Sequence, residues 1–167
     1  MVAYCLQCLT QKCDLIAELL EKNGAVRAFS PKVVSRQRKQ GKNEERAYDM
    51  LPGYVFLYME KPIEDHSVSQ GVGGIVRWLG KESGMGELTG TDLEFAMNLY
   101  QKDGVIGRTT IFKEGENVRV KDPLFENYHG AVVQIDHRKE RAKIRFFFDG
   151  QERFIWIACD ILYRDQV

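Results

Sequence analysis

The cysteines are the residues in this chain whose spacing first suggests chemistry. Cys5 and Cys8 form a Cys-x-x-Cys pair, Cys13 follows shortly afterwards, and Cys159 is far away in the sequence. Structural zinc sites use four tetrahedral ligands, which are commonly offered as two close pairs from turns. Residues 3–9, however, have the pattern of a buried strand, in which side chains three positions apart point to opposite faces. We therefore predict four free thiols, no metal site and no cofactor.

The sequence contains no spacing that is typical of a catalytic site. It has no Ser-His-Asp arrangement, no P-loop and no pair of carboxylates placed for acid–base work. The glycines at positions 71, 73 and 74 do not have the spacing of a dinucleotide-binding fingerprint. A thiol- or metal-dependent enzyme built around the first three cysteines would need a base beside them, and the histidine nearest to them in the sequence lies on a different predicted element. We predict that the protein is not an enzyme.

Basic residues concentrate in two segments, although the formal net charge of the chain is zero. Residues 32–46 contain six basic residues and two glutamates, and residues 138–145 contain five basic residues and one glutamate. Such segments can meet phosphates or acidic protein surfaces, or they can simply be solvated faces. The apolar runs are much shorter than the ~20 residues that a transmembrane helix requires, and the N-terminus has no signal-peptide pattern. We expect a cytoplasmic protein that makes no membrane contact.

The first half of the chain has a mixed α/β pattern. A strand is predicted at 3–9, and a helix from Thr10 to the Asn23-Gly24 cap follows it. A second strand is predicted at 25–34, and then an exposed loop or hairpin tip at 35–47. The remaining predicted elements of this half are a strand at 51–58, a helix or irregular turn at 62–70, a strand at 75–79, and a helix that begins at Thr91 with a Thr91-x-x-Glu94 capping box.

The second half has an all-β pattern. Residues 104–114 are polar and contain glycine, which predicts a linker, and short alternating strands follow over 115–167. A piece of this size with four or five strands would close as a small barrel. The fold class is therefore α+β: an N-terminal α/β sandwich over residues 1–103, with a mixed sheet flanked by helices, and a small SH3-like C-terminal barrel over 115–167.

A hairpin with a two-residue turn at Asp149-Gly150 sets the register of the last two strands. In this register, Lys143 faces Trp156 and Arg145 faces Phe154. One side of the hairpin is apolar, as expected for a barrel interior, and comprises Ala142, Ile144, Ile155 and Ile157. The other side alternates bases with aromatic residues and comprises Arg141, Lys143, Arg145, Phe147, Phe154 and Trp156.

Interleaved bases and aromatic rings suit the stacking and neutralisation of single-stranded or looped RNA. We predict that Lys143, Arg145, Phe154 and Trp156 bind nucleic acid. Recognition of a protein by the same face stays open. So do two structural alternatives, in which a bulge turns Trp156 inward or an arginine simply stacks on the tryptophan.

The motifs of both halves, taken in order, resemble the NusG family. The first half carries Leu51-Pro52-Gly53-Tyr54-Val55-Phe56 and Gly74-Ile75-Val76-Arg77-Trp78-Leu79-Gly80 between an aromatic-led first strand and the last helix. The second half resembles a KOW module, from Gly115-Glu116-x-Val118 through Tyr128-x-Gly130 to the 149–150 turn. The resemblance covers nearly the whole chain. It implies a NusG N-terminal domain followed by a KOW domain, and a function in transcription elongation or antitermination.

The resemblance implies that RNA polymerase is the partner of the first domain. In the family, this domain presents an apolar depression to a helical pair on the polymerase clamp and suppresses pausing. By motif, the depression here includes Gln7, Leu51, Tyr54 and Phe56. Aromatic residues suit such an interface because a few anchors of this kind dominate binding. The alternative is that these residues belong to the protein's own core, since only one face of the strand meets the core helices.

The basic loop would then lie near the upstream edge of the transcription bubble. The resemblance implies that Arg36, Arg38 and Lys39 contact the non-template DNA strand or the polymerase itself. In the general factor, an apolar residue at the position of Asp149 helps to recruit Rho or a ribosomal protein of the small subunit. A carboxylate would not fill an apolar pocket, and the basic–aromatic side of the hairpin offers a different contact.

These departures indicate a specialised paralogue of the LoaP or RfaH kind, acting as a monomer. Its expected partners are RNA polymerase, RNA or non-template DNA, and a ribosomal protein as a further candidate. A second hypothesis is a KOW-type RNA-binding protein that associates with the ribosome and does not bind polymerase.

Overall fold

The computed structural model describes residues 1–80, 86–125 and 131–163. The helical segments are a 3-10 turn at Thr10–Lys12, α1 (Cys13–Lys22), a 3-10 turn at Ser67–Ser69, and α2 (Gly90–Gln101). In chain order the strands are β1 (Val2–Cys8), β2 (Arg27–Phe29), β3 (Lys32–Lys39), β4 (Lys42–Asp49), β5 (Tyr54–Met59), β6 (Ile75–Trp78), β7 (Val105–Ile106), β8 (Thr109–Glu114), β9 (Asn117–Val120), β10 (Val132–Asp136), β11 (Arg141–Phe148) and β12 (Gln151–Tyr163).

The first of two compact units comprises residues 1–31 and 49–104. Its sheet has the strand order β2-β5-β1-β6, and neighbouring strands are antiparallel. Alternate residues of β1 face α1, where Tyr4, Leu6 and Cys8 pack in one buried cluster with Ile16 and Leu20. The apolar stripe of α1 and the alternation of side chains along β1 thus explain why α1 packs on this face of the sheet.

The opposite face of the same sheet packs on α2. Phe56 of β5 lies against Phe95 of α2, with 6.2 Å between the ring centroids. Tyr58, two residues further along β5, donates its hydroxyl hydrogen bond to the backbone carbonyl of Ala96. The sheet is therefore covered by one helix on each face, as predicted for the first half. Its strands are antiparallel throughout, so the prediction of a mixed sheet is wrong.

The second unit comprises residues 32–48 and 105–167. It contains a three-stranded sheet of order β4-β3-β7 and a five-stranded sheet of order β10-β11-β12-β8-β9. The long strand β12 joins two pairings, because its first part is antiparallel to β11 and its last part is parallel to β8. These five strands form one sheet, and the closure of this sheet into a complete barrel stays a prediction.

The β11–β12 hairpin has the predicted register. Lys143 pairs with Trp156, and Arg145 pairs with Phe154. Asp149 and Gly150 form the two-residue turn with φ values of 54° and 68°, the left-handed conformation that this turn requires. The predicted inner side is buried along both strands: Ala142, Ile144, Ile155 and Ile157.

Three local predictions need correction. The segment 104–114 carries β7 and β8 in place of a linker, since its alternating residues pair with β3 and β12. The predicted strand at 25–34 is two strands, because Ser30 and Pro31 separate β2 from β3. At residues 62–70 the predicted alternative of an irregular turn is correct, and it contains a short 3-10 turn at Ser67–Ser69. Helix α2 begins one residue before Thr91, and the N-cap is Thr89, with no side-chain capping bond, so the predicted capping box is wrong.

Over the described ranges, no helix is both long and apolar enough to cross a membrane.

Candidate functional site

The three apolar residues predicted to line a polymerase-binding depression are buried within the chain. Phe56 has 0% of its surface exposed, Leu51 has 1% and Tyr54 has 8%. Phe56 lies between Phe29 of β2 and Phe95 of α2, at centroid distances of 6.4 and 6.2 Å. A side chain with no exposed surface cannot be an interface anchor in this conformation. The expectation of an open hollow at these residues is therefore wrong, and the alternative of core residues is correct for Phe56 and Leu51.

At one end of the sheet face that α2 covers, three side chains with polar groups lie side by side. Gln7 of β1 pairs with Tyr54 of β5 on one side and with Arg77 of β6 on the other. Directly paired residues of antiparallel strands lie on the same face of the sheet, so the three side chains form a line across three strands. Gln7 is half-buried and Arg77 is exposed. We call these three residues the polar row.

Arg77 and Gln7 are joined within the polar row. The Nε–H of Arg77 donates a hydrogen bond to Oε1 of Gln7 over 2.8 Å. Sequence reasoning did not single out Arg77. The available signal was an arginine inside an otherwise apolar strand run, because such a residue must point to solvent or to a polar partner.

The basic–aromatic face of the β11–β12 hairpin, formed by Arg141, Lys143, Arg145, Phe147, Phe154 and Trp156, has the predicted composition. Phe154 is 47% exposed and Phe147 is 42% exposed, although both are large apolar side chains. Trp156 is half-buried on this outer side, and neighbouring Ile155 and Ile157 point inward. The alternative in which a bulge turns Trp156 inward is therefore wrong.

Cations already stack on the rings of this face. The guanidinium of Arg141 lies 4.3 Å from the centroid of the Trp156 ring, and Nζ of Lys143 lies 5.0 Å from that of Phe154. Asp136 of β10 also approaches Arg141 at 3.7 Å. The stacking alternative is thus correct for Arg141 and Trp156. The stacked cations hold their positive charge beside exposed aromatic surface, an arrangement suited to a ligand that is both planar and anionic.

The basic residues predicted in the 36–46 loop lie on a hairpin formed by β3 and β4. Arg38 and Lys39 are exposed near its tip. Arg36 is different, because its guanidinium forms an ion pair with Glu140 and approaches Glu45 at 3.9 Å. Only 19% of the Arg36 side chain is exposed. In this conformation carboxylates therefore occupy Arg36, and its contact with nucleic acid stays a prediction.

A second arginine, Arg108, lies in the same cluster of charges. Its guanidinium contacts Glu45 at 2.6 Å, Asp160 at 2.9 Å and Glu140 at 3.1 Å. Burial alone would lower the pKa of Arg108, but the hydrogen bonds to Asp160 and Glu45 raise it above its usual value. We call the five residues Arg36, Glu45, Arg108, Glu140 and Asp160 the ion cluster. Sequence reasoning missed it because its members come from distant segments of the chain.

All four cysteines are buried free thiols. Cys8 faces α1, and Cys5 pairs with Phe56 on the other side of the sheet, so the predicted divergence of the two thiols is confirmed. Burial, together with the neighbouring Cys13, raises the pKa of Cys8 to about 12. A thiol with such a pKa stays protonated at neutral pH, which is the opposite of what nucleophilic or metal-binding chemistry requires. Among the described residues, no group of three or more His, Cys, Asp or Glu side chains could hold a metal ion.

The sequence matches a family model described as "Transcription termination factor nusG" over residues 3–95, which is more than half of the chain. This range runs from β1 into α2 and contains the polar row.

Several curated proteins are similar to the chain, and they carry the name "Transcription termination/antitermination protein NusG". The protein of Buchnera aphidicola subsp. Acyrthosiphon pisum is 28% identical over 130 residues, which cover 77% of this chain and 71% of that protein. The protein of Buchnera aphidicola subsp. Baizongia pistaciae is 31% identical over 118 residues, which cover 68% of this chain and 64% of that protein. The Escherichia coli protein is 28% identical over 130 residues, with coverages of 77% and 71%.

A solved structure described as "Domain interaction in Thermotoga maritima NusG" has a similar fold. The match covers 94% of this chain and 93% of that chain, with a TM-score of 0.56 and 17% sequence identity. At this identity the likeness concerns the fold, and it extends across both units.

Proposed function

Because this chain belongs to the NusG family, we propose that it is a transcription elongation or antitermination factor that binds RNA polymerase through its first unit. The observation that carries the proposal is the match of residues 3–95 to the family model, since this range contains nearly all of the first unit's sheet, α1 and the first part of α2. The similar curated proteins are named for transcription termination and antitermination. Such a factor acts by binding and needs no catalytic residues of its own.

We place the polymerase contact at the polar row and its surroundings. Tyr54 keeps a small exposed surface, Gln7 is half-buried, and Arg77 is exposed beside them. Tyrosine and arginine are among the residues that contribute most to protein interfaces. Leu51 and Phe56 then support the polar row from within the unit, where they fix the position of the strand that carries Tyr54.

The second unit would bind RNA through the basic–aromatic face. Lys143 and Arg145 supply positive charge, and Phe154 and Trp156 supply ring surface along the same two strands. Such a face would bring the factor to transcripts that present single-stranded or looped segments. This contact fits a specialised paralogue that acts on particular operons. The charged Asp149 at the hairpin tip disfavours an apolar contact with Rho or a ribosomal protein.

A second candidate is an RNA-binding protein that associates with the ribosome and not with polymerase. The burial of Leu51 and Phe56 favours it, since it removes two of the anchors expected for polymerase. The exposed basic–aromatic face is compatible with either candidate, so this face alone cannot distinguish them.

The experiment that tests the proposal compares binding of the whole chain to core RNA polymerase and to small ribosomal subunits. Affinity for each would be measured under one buffer condition, with immobilised protein and purified partners. The proposal predicts saturable binding to polymerase that exceeds binding to ribosomal subunits. Binding to ribosomal subunits together with no affinity for polymerase would contradict it and would support the second candidate.

A further inference from the structure

The arginines of the ion cluster are paired with carboxylates, and this pairing affects how the chain can bind nucleic acid. It brings two arginines, one on β3 and one just before β8, together with carboxylates from β4, from the turn between β10 and β11, and from β12. Two positive charges therefore face three negative ones, which leaves one negative charge in excess. A surface with an excess of negative charge repels a phosphate backbone, although two members of the cluster, Arg36 and Glu45, lie on a hairpin whose tip is basic.

We propose that the carboxylates of the ion cluster occupy Arg36 and Arg108 as internal stand-ins for phosphate, and that a nucleic-acid backbone displaces them to bind both arginines. The ligand class is the phosphodiester backbone of single-stranded DNA or RNA. The inference goes beyond the RNA contact of the basic–aromatic face in the proposed function, and it is independent of polymerase binding.

The chemistry of the guanidinium group supports this exchange. Its planar fork of N–H donors matches carboxylate and phosphate oxygens with the same two-point geometry. In the cluster, Arg108 already contacts three carboxylates through different nitrogens, at 2.6, 2.9 and 3.1 Å. The donors are therefore held in positions suited to several anionic oxygens at once.

The different exposure of the arginine and carboxylate side chains also supports the proposed displacement. The arginine side chains are 19% and 29% exposed, whereas the carboxylate side chains of Glu45, Glu140 and Asp160 are 44%, 50% and 58% exposed. The acids thus lie on the solvent side and the arginines lie behind them. Exposed ion pairs are individually weak, so a polyanion that offers several phosphates can replace them.

The strand geometry connects the ion cluster to the exposed basic tip. Arg36 and Arg38 are two residues apart on β3, so their side chains lie on the same face, roughly 6.6 Å apart along the strand. Arg38 is exposed, whereas Arg36 is covered by Glu140. A backbone that first binds at Arg38 would therefore reach the cluster next.

The test measures the affinity of the whole chain for labelled single-stranded DNA and RNA oligonucleotides of one sequence, over a range of salt concentrations. Glu140→Gln removes one of the covering charges and keeps the size of the side chain. We expect about fivefold tighter binding, because the two exposed ion pairs of Glu140 no longer compete. The dependence on salt should steepen by about 0.7 in slope for each additional phosphate contact with a single strand.

The matched control is Glu116→Gln, which makes the same change in net charge at an exposed turn of the same unit, outside the cluster. A second variant, Glu45→Gln, tests the same idea if Glu140→Gln does not fold. In the double variant Glu140→Gln with Arg36→Ala, the gain should disappear.

Three results would overturn the inference. They are an equal gain in Glu116→Gln, a gain that survives the removal of Arg36, and an absence of nucleic-acid binding in every variant at low salt. The last result would leave the polymerase contact untouched, since that contact is measured separately. Comparison of the affinities for the DNA and RNA oligonucleotides shows which of the two nucleic acids the site prefers.

Discussion

The aromatic residues of β5 are buried, whereas the phenylalanines on the outer face of the β11–β12 hairpin are exposed. In the first unit, Tyr54 and Phe56 lie on a sheet face that α2 covers, and Phe56 is completely buried. In the second unit, Phe147 and Phe154 lie on a hairpin face that keeps more than two fifths of each side chain exposed. Both surfaces show aromatic residues at alternate strand positions, so alternation alone does not tell a core face from a binding face.

The difference comes from what each face meets elsewhere in the chain. Phe56 is buried by Phe29 and Phe95, which lie far from it in the sequence on either side. The hairpin face has basic residues between its rings, and these cannot be buried without a partner for each charge. Interleaved charge is therefore the better sequence signal for an exposed aromatic surface.

The strongest test of this comparison replaces one ring on each face with alanine. Phe56→Ala should lower the free energy of unfolding by about 3–5 kcal/mol, because it leaves a cavity among aromatic residues. Phe154→Ala should lower it by less than about 1 kcal/mol, because nearly half of the ring is already in water. Urea unfolding, followed by fluorescence and circular dichroism, measures both. Similar losses in the two variants would show that the faces do not differ as described.

A second test concerns the ligand of the exposed face. Lys143→Ala with Arg145→Ala should weaken RNA binding by about tenfold and reduce the salt slope, because two phosphate contacts are lost. Titration of labelled RNA at several salt concentrations provides the measurement. The matched control is Lys22→Ala with Lys61→Ala, which removes two exposed charges from the first unit. If the control loses as much affinity, binding depends on net charge and not on this face.

A smaller effect is expected from the thiol on the α1 side of the sheet. The pKa of Cys8 is about 12 in the folded chain against an ordinary value of 9.0, so the unfolded chain loses this proton first as the pH rises. The free energy of unfolding should therefore be unaffected below pH 8 and should fall at pH 9.5, by at most roughly 1 kcal/mol. Denaturant titrations at the two pH values provide the test, with Cys8→Ala as the reference. An equal fall in Cys8→Ala would assign the effect to other groups.

Local patterns predicted a large part of this fold. The helix that ends at Asn23-Gly24 and the hairpin at Asp149-Gly150 follow from turn chemistry and side-chain period, which depend only on neighbouring residues. The register of that hairpin then placed six residues of the basic–aromatic face correctly.

The remaining features depend on contacts between distant segments. The contacts that bury Phe56 and the ion pairs at Arg36 both join residues from separate elements. The spacing of residues within one element does not predict such long-range contacts. The strand character of 109–114 is a similar case, since it rests on parallel pairing with β12. Arg77 was missed because its role follows from lying beside Gln7 in the sheet.

The central claim is that the first unit binds RNA polymerase at the polar row. The most direct measurement is the affinity of Gln7→Ala with Arg77→Ala for core RNA polymerase, beside the unaltered chain. Neither side chain is part of the buried core, so the fold should survive, as circular dichroism would verify. We predict binding weaker by at least about tenfold, the loss expected when interface residues near a contact centre are truncated. Unchanged affinity in the folded double variant would contradict the claim.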